Sequence, residues 1–244
     1  MWSSITTSWR DKRRFYNQPH IVESYEAQRF GGASGQRVAR RELALALSML
    51  PARGSVLDLA CGTGRLSRAL RARGNDVVAL DVAWHMVRAA RASAAVPVAV
   101  GDAFQLPFVD GAFDAVAALR LAFHYTDLSG LLREMARVTR PGGVLVLDTC
   151  TYSPRALVAL QPERWGGPVQ THAPRYVRQL AAALDLRIEQ AQSCFLGSPY
   201  LYRMLPAGLA RVAEALETAL PDWALSRCYW RLCRAAATPI AASS

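Results

Sequence analysis

Three aspartates, a glycine-rich loop and one histidine are the groups in this 244-residue chain whose types and spacing point to chemistry. The stretch Gly54-Ser55-Val56-Leu57-Asp58-Leu59-Ala60-Cys61-Gly62-Thr63-Gly64 ends an apolar run in an acid, breaks into small residues, and passes at once into a helical pattern. A strand that turns through glycines into a helix start offers backbone N–H groups to a ligand that comes very close. Asp58 adds a negative charge there, which suits a nucleotide-like ligand bearing positive charge better than a bare phosphate. Asp81 ends the next apolar run, where a carboxylate about 20 residues past the glycines accepts the ribose hydroxyls of a nucleotide. Gly101-Asp102 ends a third run, where an acid can meet a base amino group. Each aspartate alone reads as a turn former or helix cap. Together with the glycine loop they converge on one crevice, because ligands of parallel sheets bind beyond the carboxyl ends of the strands.

A second set follows the fourth apolar run, in Leu119-Arg120-Leu121-Ala122-Phe123-His124-Tyr125-Thr126-Asp127. An imidazole titrates near neutral pH, so His124 can take a proton from an acceptor. It can equally order the loop or cap the helix beginning near Asp127. Arg120 can pair with an acidic substrate, with Asp114, or with a chain carbonyl. His172, beyond the loop holding Trp165, is a further candidate for the same pocket.

The elements that position these groups follow from periodicity and from Gly/Pro punctuation. Helices are expected over 21–30 and 36–50, the second stopped by Pro51 and Gly54. Strands Val56–Ala60, Val77–Asp81, Val96–Gly101, Phe113–Leu119 and Val144–Thr149 alternate with helices Arg65–Arg73, Trp84–Ala94 and Leu128–Thr139. A turn at Pro141-Gly142-Gly143 precedes the fifth strand. A helix at 173–184, a strand at 186–195, one helix at 199–219 and a last strand at Tyr229–Cys233 complete the chain. The fold class is therefore α/β: a Rossmann-like, doubly wound, mostly parallel seven-stranded sheet with helices on both faces. The Pro- and Gly-rich connection 150–171 reads as a lid or cap, together with the N-terminal helix and the 199–219 segment. Tyr16, Tyr25 and Phe30 would close the site against water, or simply pack a helix. Tyr200, Tyr202 and Met204 are either an apolar substrate wall or core.

Composition narrows the function classes. Residues 1–20 hold no continuous apolar h-region, and no run approaches the roughly 18 apolar residues of a membrane span. The five cysteines show no metal-ligand spacing, so no metal is expected; they read as reduced thiols of a cytoplasmic protein. The net charge of +10 rests almost wholly on dispersed arginines, Lys12 being the one lysine, and reflects compositional bias more than a basic patch. The cluster Arg10, Lys12, Arg13 and Arg14 fits an acidic partner or a solvated helix end.

Val56 to Gly64, followed by Leu80-Asp81-Val82-Ala83-Trp84-His85-Met86, resembles the first two motifs of class I S-adenosylmethionine-dependent methyltransferases. Gly101-Asp102-Ala103 to Phe108, Phe113-Asp114-Ala115-Val116 and Glu134 to Gly143 resemble the motifs that follow. The resemblance spans roughly residues 20–150 and leans to the small-molecule, ubiquinone/menaquinone-type branch. It implies S-adenosylmethionine as cofactor and S-adenosylhomocysteine as product. Asp58, Gly62 and Gly64 would surround the methionine part; Asp81 would bind the ribose; Met86 would pack on the adenine; Asp102 and Ala103 would meet its edge. Tyr25, Ala60, Val82 and Leu119 complete the expected cofactor set, with His124 and Arg120 as the catalytic candidates. Ala60 stands where the family often has glycine, and Ala83 replaces a common serine beside the bulky Trp84. By the same resemblance residues 1–35 form a helical lid and 36–234 the methyltransferase domain with cap insertions at 150–171 and 199–219; residues 235–244, with little to pack, read as a flexible tail.

The expected reaction is an in-line methyl transfer to an oxygen, nitrogen or carbon of a small organic, apolar-leaning acceptor. A dinucleotide is the competing ligand, since Gly62-x-Gly64-x-x-Ser67 approaches the dinucleotide fingerprint. Asp58 opposes it, because a carboxylate would face the pyrophosphate. An RNA-modifying enzyme is the first rival function, prompted by the charge. The chain lacks an Asn/Asp-Pro-Pro-Tyr/Phe segment, a Pro-Cys nucleophile and a basic module with interleaved aromatics. The second rival is a non-catalytic cofactor-binding or partner protein on the same fold.

Overall fold

A computed structural model of the chain describes residues 14–153 and 169–235. Arg10, Lys12 and Arg13, Trp165 with most of the 150–171 connection, and the tail past 235 lie outside the described residues.

After a helical turn at 14–16 come α1 (Pro19–Phe30) and α2 (Gly32–Met49). β1 (Ser55–Leu59), α3 (Arg65–Ala72), β2 (Asp76–Asp81), α4 (Trp84–Ala94), β3 (Val98–Val100) and β4 (Phe113–Ala118) follow. A 3-10 turn at Ala122–His124 leads to α5 (Ser129–Val138) and β5 (Thr139–Cys150). α6 (Pro174–Ala183), β6 (Leu186–Leu196), α7 (Pro199–Met204), α8 (Ala207–Glu217) and β7 (Leu225–Arg234) close the fold. The sheet runs β3-β2-β1-β4-β5-β7-β6, with β7 antiparallel to both neighbours and the rest parallel. This is the expected doubly wound sheet of seven strands.

Alternation along the central strands sends successive side chains to opposite faces. Leu57, Leu59, Val116 and Ala118 pack with Leu131 and Met135 of α5, Val177 of α6 and Trp230 of β7. Val56, Ala79, Ala115 and Val146 face the other layer, with Leu66 and Leu70 of α3 and Ala90 of α4. Strands buried on both faces must be apolar throughout, which is why β1 and β4 read as continuous runs.

Several boundaries differ from the sequence reading, among them the start of α2 at Gly32 rather than residue 36. The 199–219 helix is two helices, because Pro206 lacks an N–H and its ring clashes with the preceding turn. Tyr202 is core, edge-on to Phe195 and 1% exposed, whereas Met204 projects into solvent. β5 starts at Thr139, which pairs with Phe113; the ladder then slips so that Ala115 meets Val144, and Arg140, Pro141 and Gly142 bulge outward. β7 begins at Leu225, four residues before the expected start, since it pairs along the length of both β5 and β6.

Candidate active site

The register explains how the acids meet. Asp58 pairs with Ala79, Leu59 with Leu80 and Asp81 with Val100, so the ends of β1, β2 and β3 step past one another at one rim. One cleft there is lined by Asp58, Ala60, Gly62, Asp81, Val82, Met86, Asp102, Ala103, Leu119, Arg120, His124 and Tyr25. Every cofactor and catalytic candidate is thus brought together except Gly64. Gly64 caps α3 at φ +83°, and an added Cβ would lie 3.0 Å from the Ala90 backbone, so its missing side chain lets α3 approach α4.

The loop is tied to the second acid. Asp81 accepts the Gly62 N–H at 3.0 Å and the Ala83 N–H at 2.9 Å, which holds the glycine turn against the end of β2. Asp58, 2% exposed, accepts the Ser67 hydroxyl. Burial pushes the Asp58 carboxyl up to about 7, the Ser67 bond offsetting only part of that cost. Burial likewise raises Asp81. Asp102 accepts the Phe104 N–H at 2.9 Å and keeps its carboxylate on the rim. Two residues flanking the cleft hold left-handed backbone, Ala60 at φ +57° and Arg120 at +61°. Such strain in a residue with a side chain costs about 1–2 kcal/mol and gathers at ligand sites.

The far wall comes from the N-terminal segment. Tyr16, Tyr25 and Phe30 line the cleft, and the segment is fastened by Thr63 donating to Glu26 and by the His85 N–H donating to Asn17 at 3.1 Å. The Tyr16 hydroxyl lies 3.4 Å from His124 Nε2, the two rings meeting edge-on. Burial drives the Tyr16 phenol well above its ordinary range, so it stays protonated.

Two expectations are corrected. Arg120 does not reach Asp114; its guanidinium donates to Glu42 at 3.1 Å, while Asp114 holds Ser55 and Arg140. His172 turns away from the cleft: it is buried, donates Nε2–H to the Tyr125 carbonyl at 3.0 Å and stacks on Tyr176, and burial lowers its pKa. Glu42, Arg29 and Arg65 were missed. Glu42 had a signal, a charge inside the buried stripe Val38, Glu42, Ala46, Met49 of α2. Arg29 and Arg65, both in the cleft wall, had none.

The residues fit a nucleoside cofactor with a cationic part. Gly62, at φ +54°, has open space where a side chain would stand. Two buried carboxylates beside it are raised by that burial. Buried Met86 and Ala103 supply apolar surface for a base.

A doubly wound sheet with acids at three adjacent strand ends defines a nucleoside-binding enzyme fold. The family described as a methyltransferase domain matches residues 57–147. A demethylmenaquinone methyltransferase of Mycobacterium sp. (strain JLS) is 38% identical over 190 residues, 77% of this chain and 76% of the relative. A second, of Mycolicibacterium gilvum (strain PYR-GCK), is 48% identical over 117 residues, so this chain spans about half of that relative's length (50%). Among solved structures, a geranyl diphosphate C-methyltransferase from Streptomyces coelicolor A3(2) superposes with a TM-score of 0.67 at 17% identity, over 95% of this chain and 99% of that one. The chain belongs to the class I S-adenosylmethionine-dependent methyltransferases, in the quinone-type branch, and acts on a small molecule. No helix among the described residues is long and apolar enough to cross a membrane.

Proposed function

We propose that this enzyme methylates a hydroxylated, apolar ring acceptor of the kind its relatives are named for, a demethylmenaquinone, with His124 taking the acceptor's proton. The observation that carries this is the Tyr16–His124 pair in the cleft wall, among the aromatic rings of Tyr25, Phe30 and Phe123. S-adenosylmethionine supplies an electrophilic methyl group on a sulfonium. Asp58 and the Gly62 turn hold the methionine part, Asp81 takes the ribose hydroxyls, Asp102 and Ala103 meet the base edge, and Met86 packs on it. The described part of the lid, from Arg14 to Phe30, excludes water by its aromatic residues, so the chain's work is mainly alignment and desolvation. A phenolic acceptor keeps its proton at neutral pH, and removing it is the one step that needs a base. The five cysteines form no disulfide, which suits the cytoplasm.

The direct test is turnover of reduced demethylmenaquinone with labelled methyl donor. His124→Ala is expected to lower kcat by about 100-fold, and Tyr16→Phe by about tenfold, with cofactor affinity nearly unchanged. An unaltered kcat in His124→Ala would leave the histidine a loop-ordering role only.

Asp58 makes a separate, pH-dependent prediction. Its ligand-free carboxyl titrates at about 7 rather than 3.8, so the neutral form stabilises the fold below about 4 and that contribution is lost as pH rises through about 7. A cationic ligand favours the carboxylate, so affinity for the cofactor should rise up to tenfold per pH unit below about 7 and then level off. Calorimetry in buffers of different ionisation enthalpy should show about one proton released per binding event near pH 6. A flat affinity across that interval would place Asp58 away from the cation.

A further inference from the structure

We propose that Glu26, on the inner side of α1, is the counter-charge for the α-ammonium group of the cofactor's methionine part. The bound cofactor then ties this helix across the cleft before the acceptor enters. The proposal rests on reading the cleft as the methyl-transfer site. Tyr25 and Arg29, like Glu26 and Phe30, stand four residues apart on α1, and all four line the cleft. Glu26 is the one acid among them.

The glycine loop fixes where that carboxylate stands. Thr63, between Gly62 and Gly64, is buried, and its carbonyl accepts the Ser93 hydroxyl at 2.7 Å. Its own hydroxyl donates to Glu26 Oε1. Glu26 is therefore held one hydrogen bond from the turn in which Gly62 leaves open space. Among the described residues no ion pair reaches Glu26. The Arg65 guanidinium in the same wall is given to Glu42 and to the Ala39 carbonyl. A carboxylate turned inward without a cation gains from one that the ligand brings.

The cofactor carries two cations, a sulfonium and an α-ammonium. Only the ammonium has N–H donors, which a carboxylate oxygen accepts in a charge-assisted bond. Asp58 meets the methionine part from the end of β1, and Glu26 meets it from the far wall. Tyr25 and Phe30 of the same helix belong to the aromatic wall proposed for the acceptor. Seating the cofactor's amino-acid end thereby completes that wall.

The test is calorimetry on the whole protein with S-adenosylmethionine and two analogues. S-adenosylhomocysteine keeps the ammonium without the sulfonium, and methylthioadenosine has neither. Glu26→Gln keeps an oxygen for the Thr63 hydroxyl and removes the charge. It should weaken S-adenosylmethionine and S-adenosylhomocysteine alike, by about tenfold or more. Methylthioadenosine should stay within about twofold of wild type, which also shows that the variant is folded. Amide exchange in α1 should slow when wild type binds S-adenosylhomocysteine and stay unchanged with methylthioadenosine. Exchange that slows equally with both would overturn the ordering of the helix by the ammonium. Equal weakening of all three ligands, no weakening of any, or a loss confined to S-adenosylmethionine would overturn the assignment of Glu26. Failure of wild type to bind S-adenosylhomocysteine would instead remove the reading of the cleft itself.

Discussion

Replacing Asp81 with alanine is expected to weaken S-adenosylmethionine binding by about 100-fold or more, since two charge-assisted hydrogen bonds are worth about 3 kcal/mol or more together. The loss has a second source. The same carboxylate pins the Gly62 and Ala83 N–H groups, so its removal also frees the turn that must meet the ligand. Asp81→Asn divides these effects: one oxygen still accepts a backbone N–H while the amide NH2 faces the other N–H, so the ligand-free protein should unfold somewhat below the wild-type temperature while binding is lost. Calorimetry with the cofactor and thermal unfolding without it read the two outcomes. Cofactor affinity in Asp81→Ala within about threefold of wild type would remove this residue from the binding site.

Glu42→Gln should destabilise the fold by about 3–5 kcal/mol, because it strands the charges of Arg65 and Arg120 in a buried site. Burial alone would raise the Glu42 carboxyl, but Arg120 and Arg65 outweigh it and hold the group below the usual carboxylate range. A depressed folded pKa contributes stability above the unfolded value of 4.5, and that contribution is lost as pH falls through the folded one. Wild type should therefore lose stability in acid more steeply than Glu42→Gln. Urea unfolding at neutral and acid pH measures both. A loss under about 1 kcal/mol at neutral pH would show that water already solvates the pair.

The candidate site was legible where its residues end local patterns. Asp58, Asp81 and Asp102 each close an apolar run, and a parallel sheet brings such ends together whatever else the chain does. At Gly64 a ligand cradle and a close helix crossing both call for glycine, and the crossing against Ala90 became visible only in the fold. The break at Pro206 stood in the sequence, but the apolar residues on both sides carried the helical pattern across it. Arg120 was expected to pair with an acidic substrate, Asp114 or a chain carbonyl, and a carboxylate that it does reach lies 78 residues earlier on α2.

The sequence by itself determined the order of strands and helices, the three carboxylates at the rim and the family to which the cleft belongs, because periodicity and strand-end acids are properties of consecutive residues. Only the tertiary structure decided what faces those acids. The Tyr16–His124 pair and the pairing of Glu42 with Arg65 and Arg120 join segments far apart in the chain. Burial and charge pairing depend on which of those segments the fold packs together.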